Sequence, residues 1–210
     1  MNILIFGGSG KTGKQIITQA LESGHNLTAI VRTPEKFNLM HERLRVVKGD
    51  VLNPASYLKE MEGKDIVIST IGVHSRTPTT VYSEGIINII GGMRTSKVYR
   101  LVCVSAHALD ITPVLPLWQK LVIKHILHRI LKHPFNDMRL MEHVIKNSML
   151  NWTIIRPPML KDTPLTKNYR IAINEHLKRP IKLSRADLAH YIIAILTNKS
   201  TFNKVIEIAK

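Results

Sequence analysis

Apolar residues along this chain fall into two kinds of pattern. The first is a set of short, β-branched runs: residues 3–6 (ILIF), Asn26–Val31 (NLTAIV), Leu44–Lys48 (LRVVK), 65–69 (DIVIS), 99–104 (YRLVCV) and 152–156 (WTIIR). Each is bounded by glycine, proline or polar residues and reads as a buried strand. The second kind recurs at helical spacing, predicting helices over about 14–23, 54–61, 80–94, 117–133 and 134–148. Helical connections between successive strands predict an α/β fold with a doubly wound parallel sheet. After residue 156 the pattern shortens. Strands are expected at 169–174 and 181–183, in a small C-terminal elaboration on the substrate side. A helix then starts at Ser184 as cap, with Asp187 at its third position, and runs to about 197. A last strand is expected at 204–208. The 210 residues read as one domain.

Composition narrows the setting. A hydrophobic share of 44% is enough for a full core. The single cysteine, Cys103, excludes a disulfide framework and reads as a small buried strand residue. The apolar run at the N-terminus is too short for a signal peptide, and no run approaches a membrane span, so a cytoplasmic location is expected. The net charge of +15 suits nucleic acid, an anionic membrane or a small anionic ligand. No zinc-finger spacing, helix-turn-helix signal or aromatic-basic motif accompanies it, which favours a generally basic proteome with a small anionic ligand over nucleic acid or a membrane. No metal site is expected: His125 and His128 are spaced like a ligand pair, but no cysteine or acid accompanies them.

The candidate chemistry begins where the first strand stops. Gly7, Gly10 and Gly13 follow at three-residue spacing and lead into a helix. Strand, glycine turn and helix place a pyrophosphate on a helix N-terminus. Gly10-Lys11-Thr12 also mimics the end of a P-loop, but that motif needs glycine where Ile5 stands. After the second strand, where an acid would hold a ribose 2′-hydroxyl, the chain has Arg32. A cation there suits a 2′-phosphate, with Lys11 as a second charge, so NADPH is the expected cofactor. Thr70-Ile71-Gly72 ends the fourth strand with residues small enough for backbone to lie against the cofactor. Arg76 follows in a polar loop, and Ser105-Ala106-His107 ends the fifth strand.

None of the five tyrosines has a lysine four residues on: Tyr57, Tyr82, Tyr99, Tyr169 and Tyr191 precede Met61, Ile86, Cys103, Ile173 and Ile195 at that spacing. The Tyr-x-x-x-Lys pair that serves carbonyl reduction is therefore missing. A conjugated acceptor that delocalises charge needs less local acid. Residues 117–133 carry Lys120, Lys124, His128 and Lys132 at four-residue spacing beside a broad apolar arc. They read either as a basic membrane-surface helix or as a helix packed over the active-site rim with its cations in water, and the second is preferred. Trp118 could then meet a planar ligand. Arg139, Glu142 and Lys146 read as surface ion pairs of small value.

Several segments occur in a telling order: GGSGKTG, VR, GDV, PTTVYSEGIINII, VSA, IIRPP and the Asp162–Thr166 stretch DTPLT. In that order the chain resembles the atypical short-chain dehydrogenases/reductases of the NmrA-like, NAD(P)-binding group, and within them the biliverdin-IXβ reductase/flavin reductase family. The resemblance implies a Rossmann fold and NADPH-dependent reduction of flavins or tetrapyrrole-like acceptors. It implies Gly7, Gly10, Thr12 and Gly13 at the pyrophosphate, Arg32 at the 2′-phosphate, and Asp50 and Val51 near the adenine. Ser105 would lie beside the nicotinamide and substrate as the catalytic candidate, with Pro157 and Pro158 lining the nicotinamide pocket. Related reductases carry histidine where this chain has Met159. Arg76, His107, Trp118 and Met159 complete the expected substrate side, for a small planar anionic substrate. The other outcome the group allows is a catalytically silent, cofactor-sensing regulator. A monomer is expected, with a dimer as the alternative.

Overall fold

The structure, a computed structural model, describes residues 1–73, 77–111 and 114–210. The six main apolar runs all form strands: β1 (Asn2–Phe6), β2 (Asn26–Val31), β3 (Leu44–Lys48), β4 (Ile66–Ser69), β5 (Arg100–Val104) and β6 (Asn151–Arg156). Four more follow: β7 (Met159–Lys161), β8 (Arg170–Ile173), β9 (Lys182–Ser184) and β10 (Lys204–Ala209). The main sheet has the order β3-β2-β1-β4-β5-β6-β10-β8. Every pairing in it is parallel except β10 with β8. The order reverses between β1 and β4, which makes that point the crevice where such sheets bind ligands.

Helices cover both faces. On one side α1 (Lys11–Glu22) packs against α6 (Arg185–Ala194), burying Ile16, Ile17 and Ala20 with Leu188, Ala189 and Ile192. On the other, α2 (Ser83–Thr95) packs against α5 (Lys132–Lys146) through Ile86, Ile89 and Met93 with Met138, Met141 and Ile145. Between β5 and α5 run α3 (Leu117–Val122), a π-helical turn (Ile123–Leu127) and the short α4 (His128–Ile130). No helix among the described residues is long and apolar enough to cross a membrane.

Four expectations change. The first helix opens at Lys11 rather than 14, directly on the glycine turn. Residues 54–61 form two separate 3-10 turns, Pro54–Ser56 and Leu58–Met61. The helix expected over 117–133 is interrupted twice, by the π turn and by Leu131, whose φ of −108° leaves the helical region. Pro134 falls in the first turn of α5, where its missing N–H costs nothing. The C-terminal strands divide: β8 joins the main sheet as an antiparallel edge, while β9 pairs with β7 in a two-stranded ribbon.

Candidate functional site

The glycine turn sits at the C-terminal end of β1, beside the end of β4. Gly7 has φ +77°, and a Cβ on it would fall 2.5 Å from the Thr70 carbonyl oxygen. A Cβ on Gly13 would run into the Gly7 carbonyl and the Gly8 Cα. Both positions therefore require glycine, and the turn lies against the backbone of Thr70 and Ile71. The Gly10 amide closes the turn on the Gly7 carbonyl at 3.0 Å. Gly10 is also the N-cap of α1 and supplies no capping side chain, and the first turn has no acid. The amides of Lys11, Thr12 and Gly13 have no acceptor within the helix, and the helix dipole adds positive potential at the same place. These donors, on a turn whose tight packing demands glycine at 7 and 13, fit a pyrophosphate.

Arg32 follows β2 and shares an open cleft of about 400 Å³ with Lys48, Gly49, Asp50, Asn53 and Ser56. Lys48 was not foreseen; its signal is its place as the last residue of β3, paired in register with Val31. Lys11 lies elsewhere, in a larger cleft of about 640 Å³ that also includes Asp162 and Arg185. Its ammonium is 2.6 Å from Asp162, which Arg185 also reaches at 2.6 Å, and the Lys11 hydrogen bond holds the Asp162 carboxyl below the usual range. Asp50 accepts the Leu52 amide at 2.9 Å and so shapes its own turn. Val51 packs against Gly85 of α2, and its carbonyl accepts Asn88 Nδ2 at 3.1 Å.

The ends of β5, β6 and β10 bring together a buried polar cluster. Ser105 is buried, and its hydroxyl donates to Glu142 Oε1 at 2.6 Å. Arg156 grips the same carboxylate, with Nε 2.8 Å from Oε1 and Nη2 2.5 Å from Oε2, and reaches Asp110 at 2.7 Å through Nη1. Burial opposes the Arg156 charge, but Glu142 and Asp110 hold the guanidinium above its ordinary range. This corrects the reading of Glu142 as a surface residue: its side chain is 3% exposed, and the half-exposed Lys146 approaches it at 3.3 Å. Arg139 donates instead to the Leu109 carbonyl and to Asn136. The available signal was Arg156 itself, an arginine on the face of β6 shared with Trp152 and Ile154.

His107 is 4% exposed. Its amide bonds the Pro157 carbonyl at 2.9 Å, which ties the ends of β5 and β6 together. Its Nδ1 is 3.3 Å from Glu207 but off the hydrogen-bond line, so neither ring nitrogen has a hydrogen-bond partner among the described residues. Burial would raise the Glu207 carboxyl, yet His107, His176 and the Leu177 amide bring it down to about 2. Pro157 is buried, Pro158 half-buried and Met159 exposed on β7. Trp118 is 57% exposed on α3, apart from this cluster's buried groups. Arg76 lies outside the described residues, as does His74. Burial pushes the Cys103 thiol up to about 12, and its sulfur lies 3.7 Å from that of Met141, as for an inert core residue.

Residues 7–199 match the NAD(P)H-binding family. An uncharacterized chloroplastic protein of Arabidopsis thaliana is 28% identical over 98% of this chain and 75% of its own length. The photosystem II assembly factor Ycf39 of Synechocystis is 27% identical, over 56% of this chain and 37% of that protein. Among solved structures, ChuY, an anaerobilin reductase of Escherichia coli O157:H7, superposes with a TM-score of 0.81 at 17% identity, over 100% of this chain and 97% of that one. A short-chain dehydrogenase/reductase of Veillonella parvula in complex with NADP gives 0.80 at 19% identity, over 100% and 94%. With the glycine turn and the strand order, the match over residues 7–199 places the chain in the NAD(P)H-binding family, with a Rossmann fold.

Proposed function

We propose that the chain is an NADPH-dependent reductase of a flavin or another conjugated planar acceptor such as a tetrapyrrole. The observation that carries this reading is the open N-terminus of α1, set at the sheet's switch point with Arg32 and Lys48 in the neighbouring cleft. The Lys11–Gly13 amides would hold the pyrophosphate, and Arg32 with Lys48 the 2′-phosphate. Lys48 replaces Lys11 in that role, because Lys11 is paired with Asp162. Thr70-Ile71-Gly72 and Pro157-Pro158 would flank the nicotinamide. NADPH, when bound, supplies a hydride. The residues around it orient the acceptor, and the proton that completes reduction comes from solvent. Ser105 acts as a positioning residue, since its hydroxyl hydrogen is already engaged in a hydrogen bond to Glu142. The NADP complex of the Veillonella neighbour and the anaerobilin reductase neighbour support the choice of cofactor and acceptor class.

One observation favours the second reading, a cofactor-sensing protein without turnover. The Ser105 hydroxyl is committed to a buried ion pair, and no Tyr-x-x-x-Lys acid stands in for it. The deciding experiment follows NADPH oxidation with FMN, FAD, riboflavin and biliverdin in turn. Acceleration by at least one acceptor is expected. Tight NADPH binding with no acceleration by any of them would leave the sensing reading.

A further inference from the structure

Residues 117–132 form four rows at four-residue spacing. In a plain α-helix such rows drift around the axis, because four residues exceed one turn. The wider π turn at Ile123–Leu127 takes up the drift, so the rows stay aligned along the whole segment. Gln119, Ile123, Leu127 and Leu131 face the body of the protein, the first two buried and the last two half-buried against the core. The next row, Trp118, Val122, Ile126 and Ile130, is exposed throughout, at 57%, 38%, 50% and 41%. Leu117 and Leu121 extend it, at 73% and 49%. The apolar arc expected to pack over the site therefore divides: Ile123, Leu127 and Leu131 pack inward, while Leu121, Val122, Ile126 and Ile130 face outward. A continuous apolar strip of this kind on a surface marks something that covers it.

Charge decides between occupants. Lys124, His125, Arg129 and Lys132 border the strip and are all exposed. The sequence has no aspartate or glutamate from Ile111 to Asn136. The nearest acids are committed elsewhere: Asp110 to Arg156, and Asp137, buried, to the start of α2. A second copy of this chain would bring the same cations against these ones, and a nucleic acid would leave the apolar rows uncovered. Apolar rows edged by cations, with a tryptophan at one end, match the interface of an anionic bilayer, where aliphatic side chains enter the acyl boundary and long cationic chains reach the headgroups.

We propose that Leu117–Ile130 is a membrane-docking helix that seats the protein on bilayers containing anionic lipid. The His128 ring lies 2.8 Å from the Ala108 carbonyl, in the turn that follows β5, so the docked helix is tied to the wall of the candidate site.

The test is flotation of the full chain with vesicles of phosphatidylcholine and phosphatidylglycerol, against vesicles of phosphatidylcholine alone. The protein should float with the first and not the second, and high salt should release it. Lys124→Gln and Arg129→Gln should each weaken binding about fivefold. Val122→Ser with Ile126→Ser should weaken it about tenfold or more. All four positions are exposed, so melting temperatures should stay near that of the parent. Trp118 emission should shift to the blue only with the anionic vesicles. No flotation at low salt, or flotation untouched by both pairs of changes, overturns the proposal. So does a concentration-dependent dimer that the serine pair dissolves, or binding of duplex DNA without binding of vesicles.

Discussion

Glu142 and Arg156 form the strongest polar contact at the candidate site, and both side chains are almost fully buried. Such a pair is worth little against an apolar replacement of both partners, but much against loss of one. Glu142→Ala would strip Arg156 of its bidentate partner and Ser105 of its acceptor. Denaturant unfolding should show a loss of about 3–5 kcal/mol. Glu142→Leu combined with Arg156→Leu should recover most of it. A double variant no more stable than the single one would mean that the pair is needed for packing and not only for charge balance. These residues show where sequence reading stopped. The positions of Gly7, Gly13 and Arg32 could be seen because backbone geometry demands the glycines and the strand end places the arginine. Glu142 looked like any helix-surface acid, because its partner lies on a strand 14 residues further on.

At the level of elements, α2 is held at its start by a residue from another helix. Asp137 of α5, 4% exposed, accepts the amides of Tyr82 at 2.8 Å and Ser83 at 3.2 Å, and also the Ser83 hydroxyl. A carboxylate on a helix N-terminus satisfies its free donors and complements its dipole. Asp137→Ala should destabilise the protein by roughly 2 kcal/mol. Hydrogen exchange should speed up first in residues 82–86, with Asp137→Asn between the two. Uniform exchange throughout would show that α2 needs no cap from α5. The cap comes from a helix that no local pattern could reveal, while the first helical bond, from the Glu84 amide to the Thr80 carbonyl at 2.8 Å, still starts at the expected residue 80. Nine strands were legible to within a residue or so, because each apolar run ends at a sharp polar boundary; β7, a short and mostly exposed strand just after Pro157-Pro158, was not expected. Asp187 was legible as a first-turn acid of α6, but its carboxylate accepts the Thr166 and Lys167 amides and thereby pins the segment before β8.

For the molecule as a whole, cofactor and fold share one free energy, because a ligand that binds only the folded state stabilises it. NADPH at 100 times its dissociation constant should add about 2.7 kcal/mol. For a chain of this size that is a rise of roughly 5–10 °C in melting temperature. NADH at the same concentration should add less, and Arg32→Glu should remove most of the difference between them. Equal shifts for both nucleotides in the parent protein would take Arg32 out of 2′-phosphate binding. The net charge of +15 reads differently at this scale too. A small anionic ligand accounts for Arg32 and Lys48, but not for cations bordering an exposed apolar helix.

The placement of β10 also bears on how the chain is made. It follows β8 in sequence, yet it lies between β6 and β8 in the sheet. On a translating ribosome the polypeptide through residue 203 has β6 as an open edge and β8 without its antiparallel neighbour. The half of the sheet that carries the glycine turn is paired long before that. Nascent chains are thus expected to acquire the phosphate cradle first and the far wall of the site last, with an adhesive strand edge in between.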